Sequence, residues 1–131
     1  MSLGLAIQKA VFDKLNNDAA VTALAPVLDD VDESQSFPYV SIGEDVINEW
    51  DTVSDSGGDA SITIHVWSRY KGRKQAKEIM GKVYDSLHRQ QLTAAGYDVV
   101  MSNFETETSF LDSDGLTRHG VQTYRILISK L

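Results

Sequence analysis

Three histidines, His65, His88 and His119, are the side chains of this chain best suited to acid–base or metal chemistry. They lie far apart in sequence, and none sits in an HExxH or comparable ligand spacing, so no metal site is expected. His65 falls in an alternating stretch and reads as a strand residue on the less buried face. Asp112-Ser-Asp114-Gly115 opens like a calcium loop, but an EF-hand needs further oxygen ligands and a bidentate Glu at its twelfth position. The chain continues Leu-Thr-Arg-His, so the segment reads as a hairpin turn. Asp29 with Asp30, or Glu105 with Glu107, could act as acid–base pairs only if a cleft converged them; otherwise they are solvated charge. No glycine-rich phosphate loop, nucleophile elbow or kinase-like set occurs. The absence of cysteine excludes disulfides, thiolate zinc and cysteine nucleophiles. The expectation is a protein that is not an enzyme and has no catalytic, cofactor-binding or metal-binding residues.

Charge is the more informative property. The formal net charge of −7 argues against nonspecific attraction to nucleic acid or anionic membranes. Its distribution is uneven. Asp29 to Asp59 holds ten acidic residues and no Lys or Arg, whereas Arg69 to Lys82 holds six bases against the single acid Glu78. Within the second stretch, Arg69-Tyr-Lys-Gly-Arg-Lys74 is the best nucleic-acid candidate. Its bases stand at a helix N-terminus, against the macrodipole, and so point to an anionic partner outside that helix. Phosphate would serve, but the chain's own acidic stretch is the nearer source of negative charge. Either the two stretches are simply solvated surfaces, or they meet across a subunit contact. On the second reading the candidate interface residues are Trp50, Asp51, Asp55, Arg69, Lys71, Arg73 and Lys74.

The elements that must position these residues follow from periodicity. With 131 residues and 42% hydrophobic content, the chain suits a single domain over residues 1–131 with one core. Residues 1–4 carry no weight, as an added or disordered N-terminus. No apolar run approaches the roughly 18 residues of a membrane span, and no signal peptide is evident. Leu5 to Leu15 reads as an amphipathic helix with Ile7, Ala10, Val11 and Leu15 on one face. Asp18 caps a short second helix that Pro26 stops.

Pro38 to Ile47 reads as a strand, Asn48 to Asp59 as a long acidic loop around Trp50, and Ala60 to Ser68 as an alternating strand. Gly72 marks a turn. A helix from about Arg73 to Gln90 follows, with Ala76, Ile79, Met80, Val83, Tyr84 and Leu87 on one stripe. Gly81 weakens that helix by about 1 kcal/mol relative to Ala, unless it permits close packing. Tyr97 to Phe110 and Val121 to Ser129 read as the last two strands. The expected fold is α+β, in the order α-α-β-β-α-β-β: a four-stranded, mostly antiparallel sheet with a long helix across one face.

Several of these segments together resemble a known family. Trp67 and Ser68 end a strand, Gly72 turns, and Ala76, Ile79, Val83 and Leu87 recur along a helix. Asp112, Asp114 and Gly115 then precede His119-Gly-Val121, and Phe37-Pro-Tyr-Val-Ser-Ile-Gly43 lies upstream. In order and spacing this resembles the small bacteriophage and prophage tail-completion proteins, also described as tail terminators or head-tail joining proteins. The likeness covers roughly Phe37 to Ile128. It implies a non-enzymatic assembly protein at the head-proximal end of a phage tail, forming rings, commonly hexameric. The implied partners are copies of itself, the tail-tube protein and the head-tail connector, with no specific nucleic-acid or membrane binding. The implied location is the virion tail, and the host bacterial cytoplasm during assembly. A bacterial interaction module without a phage role, and a small enzyme with a site assembled from scattered residues, stay open on the residues alone.

Overall fold

Periodicity and caps explain most of the architecture. The computed structural model describes residues 2–53 and 55–131. Helix α1 spans Leu3–Asn16, and the Ser2 side chain accepts the Leu5 N–H at 3.2 Å as its N-cap. Ser2 to Gly4 therefore belong to the folded unit rather than to a disordered tail; Met1 lies outside the described residues. Asp18 caps the four-residue α2, Ala19–Thr22, in the same way. The strands are β1, Val27–Leu28; β2, Tyr39–Asp51; β3, Ser56–Ser68; β4, Tyr97–Leu111; and β5, Arg118–Lys130. Helix α3, Lys74–Leu87, joins β3 to β4.

Together the strands form one mixed sheet of order β1-β2-β3-β5-β4, antiparallel except for the β1–β2 pair. This corrects the four-stranded expectation to five strands, in the order α-α-β-β-β-α-β-β. The extra strand is only two residues long and follows Pro26, whose carbonyl accepts the Val40 N–H at 2.9 Å. A second correction concerns the expected acidic loop. Asn48 to Asp59 is mostly ladder, with Glu49 opposite Gly58, Trp50 opposite Gly57 and Asp51 opposite Ser56. Adjacent glycines read as a loop, but here they are strand residues crowded from both sides. A Cβ on Gly57 would lie 2.7 Å from Trp50 Cζ2, and one on Gly58 would collide with Leu3. Third, α3 is no longer than α1, with 14 residues each. It stops at Leu87 because His88 is extended and Arg89 takes a φ of 55°.

The helices cover one face of the sheet. Ala60, Ile62, Ile64 and Val66 of β3 and Tyr124, Ile126 and Ile128 of β5 are buried there with Ala76, Ile79, Met80, Val83 and Leu87 of α3. The expected stripe is therefore the core stripe, except that Tyr84 sits at its margin. Gly120 is what admits α3 so closely, since a Cβ there would stand 2.5 Å from Met80 Sδ. One polar side chain enters the core fully paired. Gln122 donates to the Met80 carbonyl at 3.0 Å and to Glu107 at 2.7 Å, and accepts from the Tyr124 hydroxyl at 3.0 Å. Among the described residues, the other sheet face carries no helix, and it presents Ser61, Thr63, His65 and Trp67 of β3, half-buried.

Candidate interaction surfaces

The β2–β3 ladder sets the distance between the charged segments. It runs from Tyr39 opposite Trp67 to Asp51 opposite Ser56. A dozen strand steps at about 3.3 Å each separate its two ends by about 40 Å. The turn that holds Val53 and Asp55 lies at one end. The basic segment after Ser68 lies at the other, beside the β4–β5 turn, because Ser68 and Leu111 both stand opposite Arg118. The acidic stretch of the sequence is thereby divided. Asp51 and Asp55 occupy the turn end, whereas Asp32 and Glu33 line a shallow groove with Phe37, Tyr39 and Arg69 at the basic end. The seven candidate residues form two groups, Trp50, Asp51 and Asp55 against Arg69, Lys71, Arg73 and Lys74, and the subunit does not bring the groups together.

Within the basic group the side chains have different duties. Arg69 is committed inside the subunit: its guanidinium lies 4.1 Å over the Phe37 ring, and its Nε donates to Thr117 Oγ1 at 3.2 Å. Its far nitrogen stands 3.9 Å from Asp114. Asp114 accepts from the Thr117 hydroxyl at 2.6 Å and from the Thr117 and Leu116 N–H groups at 2.8 Å each. These bonds, the Thr117 hydroxyl first, hold its carboxyl down to about 2. The carboxylate thus organises the Asp112–Thr117 turn, as the sequence reading of a hairpin expects. Lys71 and Arg73 are exposed and have no ionic partner among the described residues. Lys74 reaches Glu78 at 3.8 Å, one helical turn on. Helix α3 begins without a side-chain cap and without an acid in its first turn.

The turn end is ordered by short bonds. Thr52 N–H donates to the Asp55 carbonyl at 2.7 Å, Asp55 N–H donates to Thr52 Oγ1 at 3.0 Å, and Ser129 Oγ donates to Asp55 Oδ1 at 2.8 Å. Trp50 is half-buried with its ring against Gly57, so it braces its own hairpin. Val53, by contrast, is fully exposed.

The helix-free face holds an arrangement that sequence reading missed. Tyr39, Trp67, His119 and Phe110 are successive cross-strand partners on β2, β3, β5 and β4, and form one row of rings across the sheet. Centroids are 6.2 Å apart for Tyr39 and Trp67, 3.7 Å for Trp67 and His119, and 4.9 Å for His119 and Phe110. Behind the row, His65 Nδ1 stands 2.7 Å from His119 Nε2, and His65 Nε2 stands 3.2 Å from Glu44. With both rings neutral, one tautomer pair satisfies all of this: His119 Nε2–H donates to His65 Nδ1, and His65 Nε2–H donates to Glu44. Burial, and then the neighbouring His65, push His119 below the ordinary imidazole value, opposed by Asp112 and Glu44. Gly43 makes the room, since a Cβ there would lie 2.5 Å from the His65 ring. Two of the three sequence-distant histidines therefore touch. The third, His88, accepts the Phe104 N–H at 3.0 Å at the edge of β4.

No reacting centre forms around these groups. The two histidine nitrogens face each other while Glu44 holds the opposite side of His65, so the three do not converge on one point, and no metal-binding group of three occurs among the described residues. Of the carboxylates considered as pairs, Glu107 is engaged by Gln122 and Asp29 by Gln8 at 2.5 Å. A groove between α1 and the segment before β4 is walled by Ala6, Ala10, Ala94 and Ala95. Lys9, Asp13, Lys14 and Asp18 also line it; Lys9 pairs with Asp13 at 2.7 Å, and Asp18 is the α2 cap. Among the described residues, no helix is long and apolar enough to cross a membrane.

Comparison with known proteins gives concordant results. The family model of tail completion protein gp17 matches residues 9–129. The tail completion protein gp17 of Bacillus phage SPP1 is 26% identical over 125 residues, covering 95% of this chain and 92% of that protein. Among solved structures, that of the bacteriophage SPP1 gp17 protein superposes with a TM-score of 0.66 at 25% identity, over 93% of this chain and 88% of that one. A chain in the virion of a native gene transfer agent particle has a TM-score of 0.88 at 23% identity, with 98% of both chains covered, a likeness of fold.

Proposed function

The chain belongs to the tail completion protein gp17 family, and on that premise we propose that it caps the phage tail tube at its head-proximal end and joins it to the head connector. The observation that carries this reading is the family match, which spans nearly the whole chain. The surfaces agree with it: Asp114 is spent on a turn, Arg125 on a cross-strand pair with Asp59 and Glu107 on the core Gln122, and no metal-binding group of three occurs among the described residues. The protein works by contact and is not an enzyme. It acts as a ring of copies, six in the simplest version, with one face on the tube protein and the other on the connector. It resides in the virion tail after assembly in the host cytoplasm.

The decisive experiment is electron microscopy of the protein mixed with its tail-tube protein. The expected result is ring-shaped density at one end of each tube and arrested elongation at that end. Tubes of unchanged length without terminal density would overturn the reading.

A further inference from the structure

We propose that the β2–β3 hairpin tip of one copy docks on the basic end of the next copy's sheet, placing Val53 against Tyr70 and Leu116 and Asp51 against Lys71 and Arg73. The inference deepens the ring reading above and rests on its premise that the chain self-associates. It names the surfaces that meet, which neither family membership nor fold assigns.

Three observations carry it. First, the two surfaces complement each other in both charge and apolar character. The tip presents the fully exposed Val53 between exposed Asp51 and Asp55. The other end presents Tyr70 at 65% and Leu116 at 52% exposure, beside Lys71 and Arg73, whose charges have no ionic partner among the described residues. An apolar centre flanked by opposite charge on each side is the anatomy of a specific contact.

Second, the surfaces cannot satisfy each other within a subunit. They lie at opposite ends of the β2–β3 ladder, about 40 Å apart. The contact is therefore between copies. Because it joins unlike surfaces, it is heterologous and repeats head to tail, the kind that closes a ring. Tip-to-tip pairing would bring Asp51 and Asp55 against their like, and so is disfavoured.

Third, the internal contacts divide the candidate residues between roles. Arg69 is held by Phe37 and Thr117, and Trp50 by its own Gly57. Both are supports for the two surfaces. Val53, Asp51, Lys71 and Arg73 are the groups left to contact a neighbour.

The chain has no native cysteine, so engineered thiols report the contact without background. Val53→Cys and Leu116→Cys are made separately, mixed and oxidised mildly. Val46→Cys, which is 63% exposed on β2, replaces Val53→Cys as the control. The expected result is a mixed disulfide dimer that forms about tenfold faster than the control pair, an advantage that shrinks in high salt. Arg73→Glu should slow it, and Asp51→Arg on the other partner should restore it.

Sedimentation of the same mixtures separates the two levels of failure. Self-association with cross-linking no faster than the control would overturn the docking mode and leave the ring intact. Absence of self-association at any concentration would overturn the ring reading and the docking mode with it. Cross-linking unaffected by either charge variant would remove the electrostatic part of the proposal.

Discussion

The indole of Trp67 and the imidazole of His119 stack face to face, with centroids 3.7 Å apart and planes tilted by 13°, although 52 residues separate them in sequence. They are direct cross-strand partners on β3 and β5. Aromatic pairs contribute up to about 0.5–1.5 kcal/mol beyond the area they bury, a full face-to-face overlap the least. A double-mutant cycle of Trp67→Ala and His119→Ala, followed by urea denaturation, should return a coupling energy in that range. A coupling of zero would show that the two rings are neighbours without interaction.

The same histidine makes stability depend on pH. In the unfolded chain an imidazole takes up its proton near pH 6.5, whereas folded His119 is held below that value. Between the two values the unfolded state binds more protons. Stability therefore falls as pH drops through about 6.5, and its loss is complete below the folded value. Glu44, whose carboxyl is held below its ordinary 4.5 chiefly by its own backbone N–H, adds a second loss at lower pH, as it too becomes protonated. The urea midpoint should be flat above pH 7 and decline as pH drops below about 6.5, and His119→Gln should flatten that decline. An equal decline in the variant would place the titrating group elsewhere.

Core packing offers a test of α3. Ile79 is 1% exposed and packs in the core shared with β3 and β5. Ile79→Ala should cost about 2–5 kcal/mol, read as a lower denaturation midpoint at unchanged slope. An unchanged midpoint would contradict the packing described.

The glycine in the same helix behaves differently. Gly81 has nothing within 4 Å of where its Cβ would be, so the close packing considered for it from sequence does not occur. Gly81→Ala should therefore stabilise the protein by about 0.5–1 kcal/mol through helix propensity alone. A destabilised variant would mean that the position is crowded in a way the fold does not display.

The elements that sequence reading recovered are those with a strong local signature. The stripe from Ala76 to Leu87, the alternation of Ile62, Ile64 and Val66, and the inward set Tyr124, Ile126 and Ile128 all declare themselves by period, and all but the marginal Tyr84 are buried. Asp114-Gly115 was legible because its carboxylate bonds lie within three residues. What escaped depends on pairing between distant segments. Gly57 and Gly58 signal a loop until Trp50 and Leu3 are placed against them. The short β1 exists only because Val40 and Ser41 lie beside it. The contact of His65 with His119, 54 positions apart, appears only once β3 and β5 are in register. Charge segregation was legible as composition. The length of the ladder that holds the charges apart is not, because its last four pairs, from Asn48 with Asp59 to Asp51 with Ser56, lie in a segment whose composition reads as loop.

The order of strands also governs time. The strand that comes last in these residues, β5, is an interior one, flanked by β3 and β4. The β2–β3 and β4–β5 hairpins are local and can form early, but their union across α3 closes a loop of some fifty residues. Such non-local pairing is entropically slow, so folding should take milliseconds to seconds rather than microseconds. While synthesis is under way, β3 waits with a free edge until β5 arrives to pair with it. That makes the incomplete chain sticky toward strands of any origin, including those of other nascent copies. Until β5 seats itself between β3 and β4, the edge that will hold the sheet together is also the one open to wrong pairing.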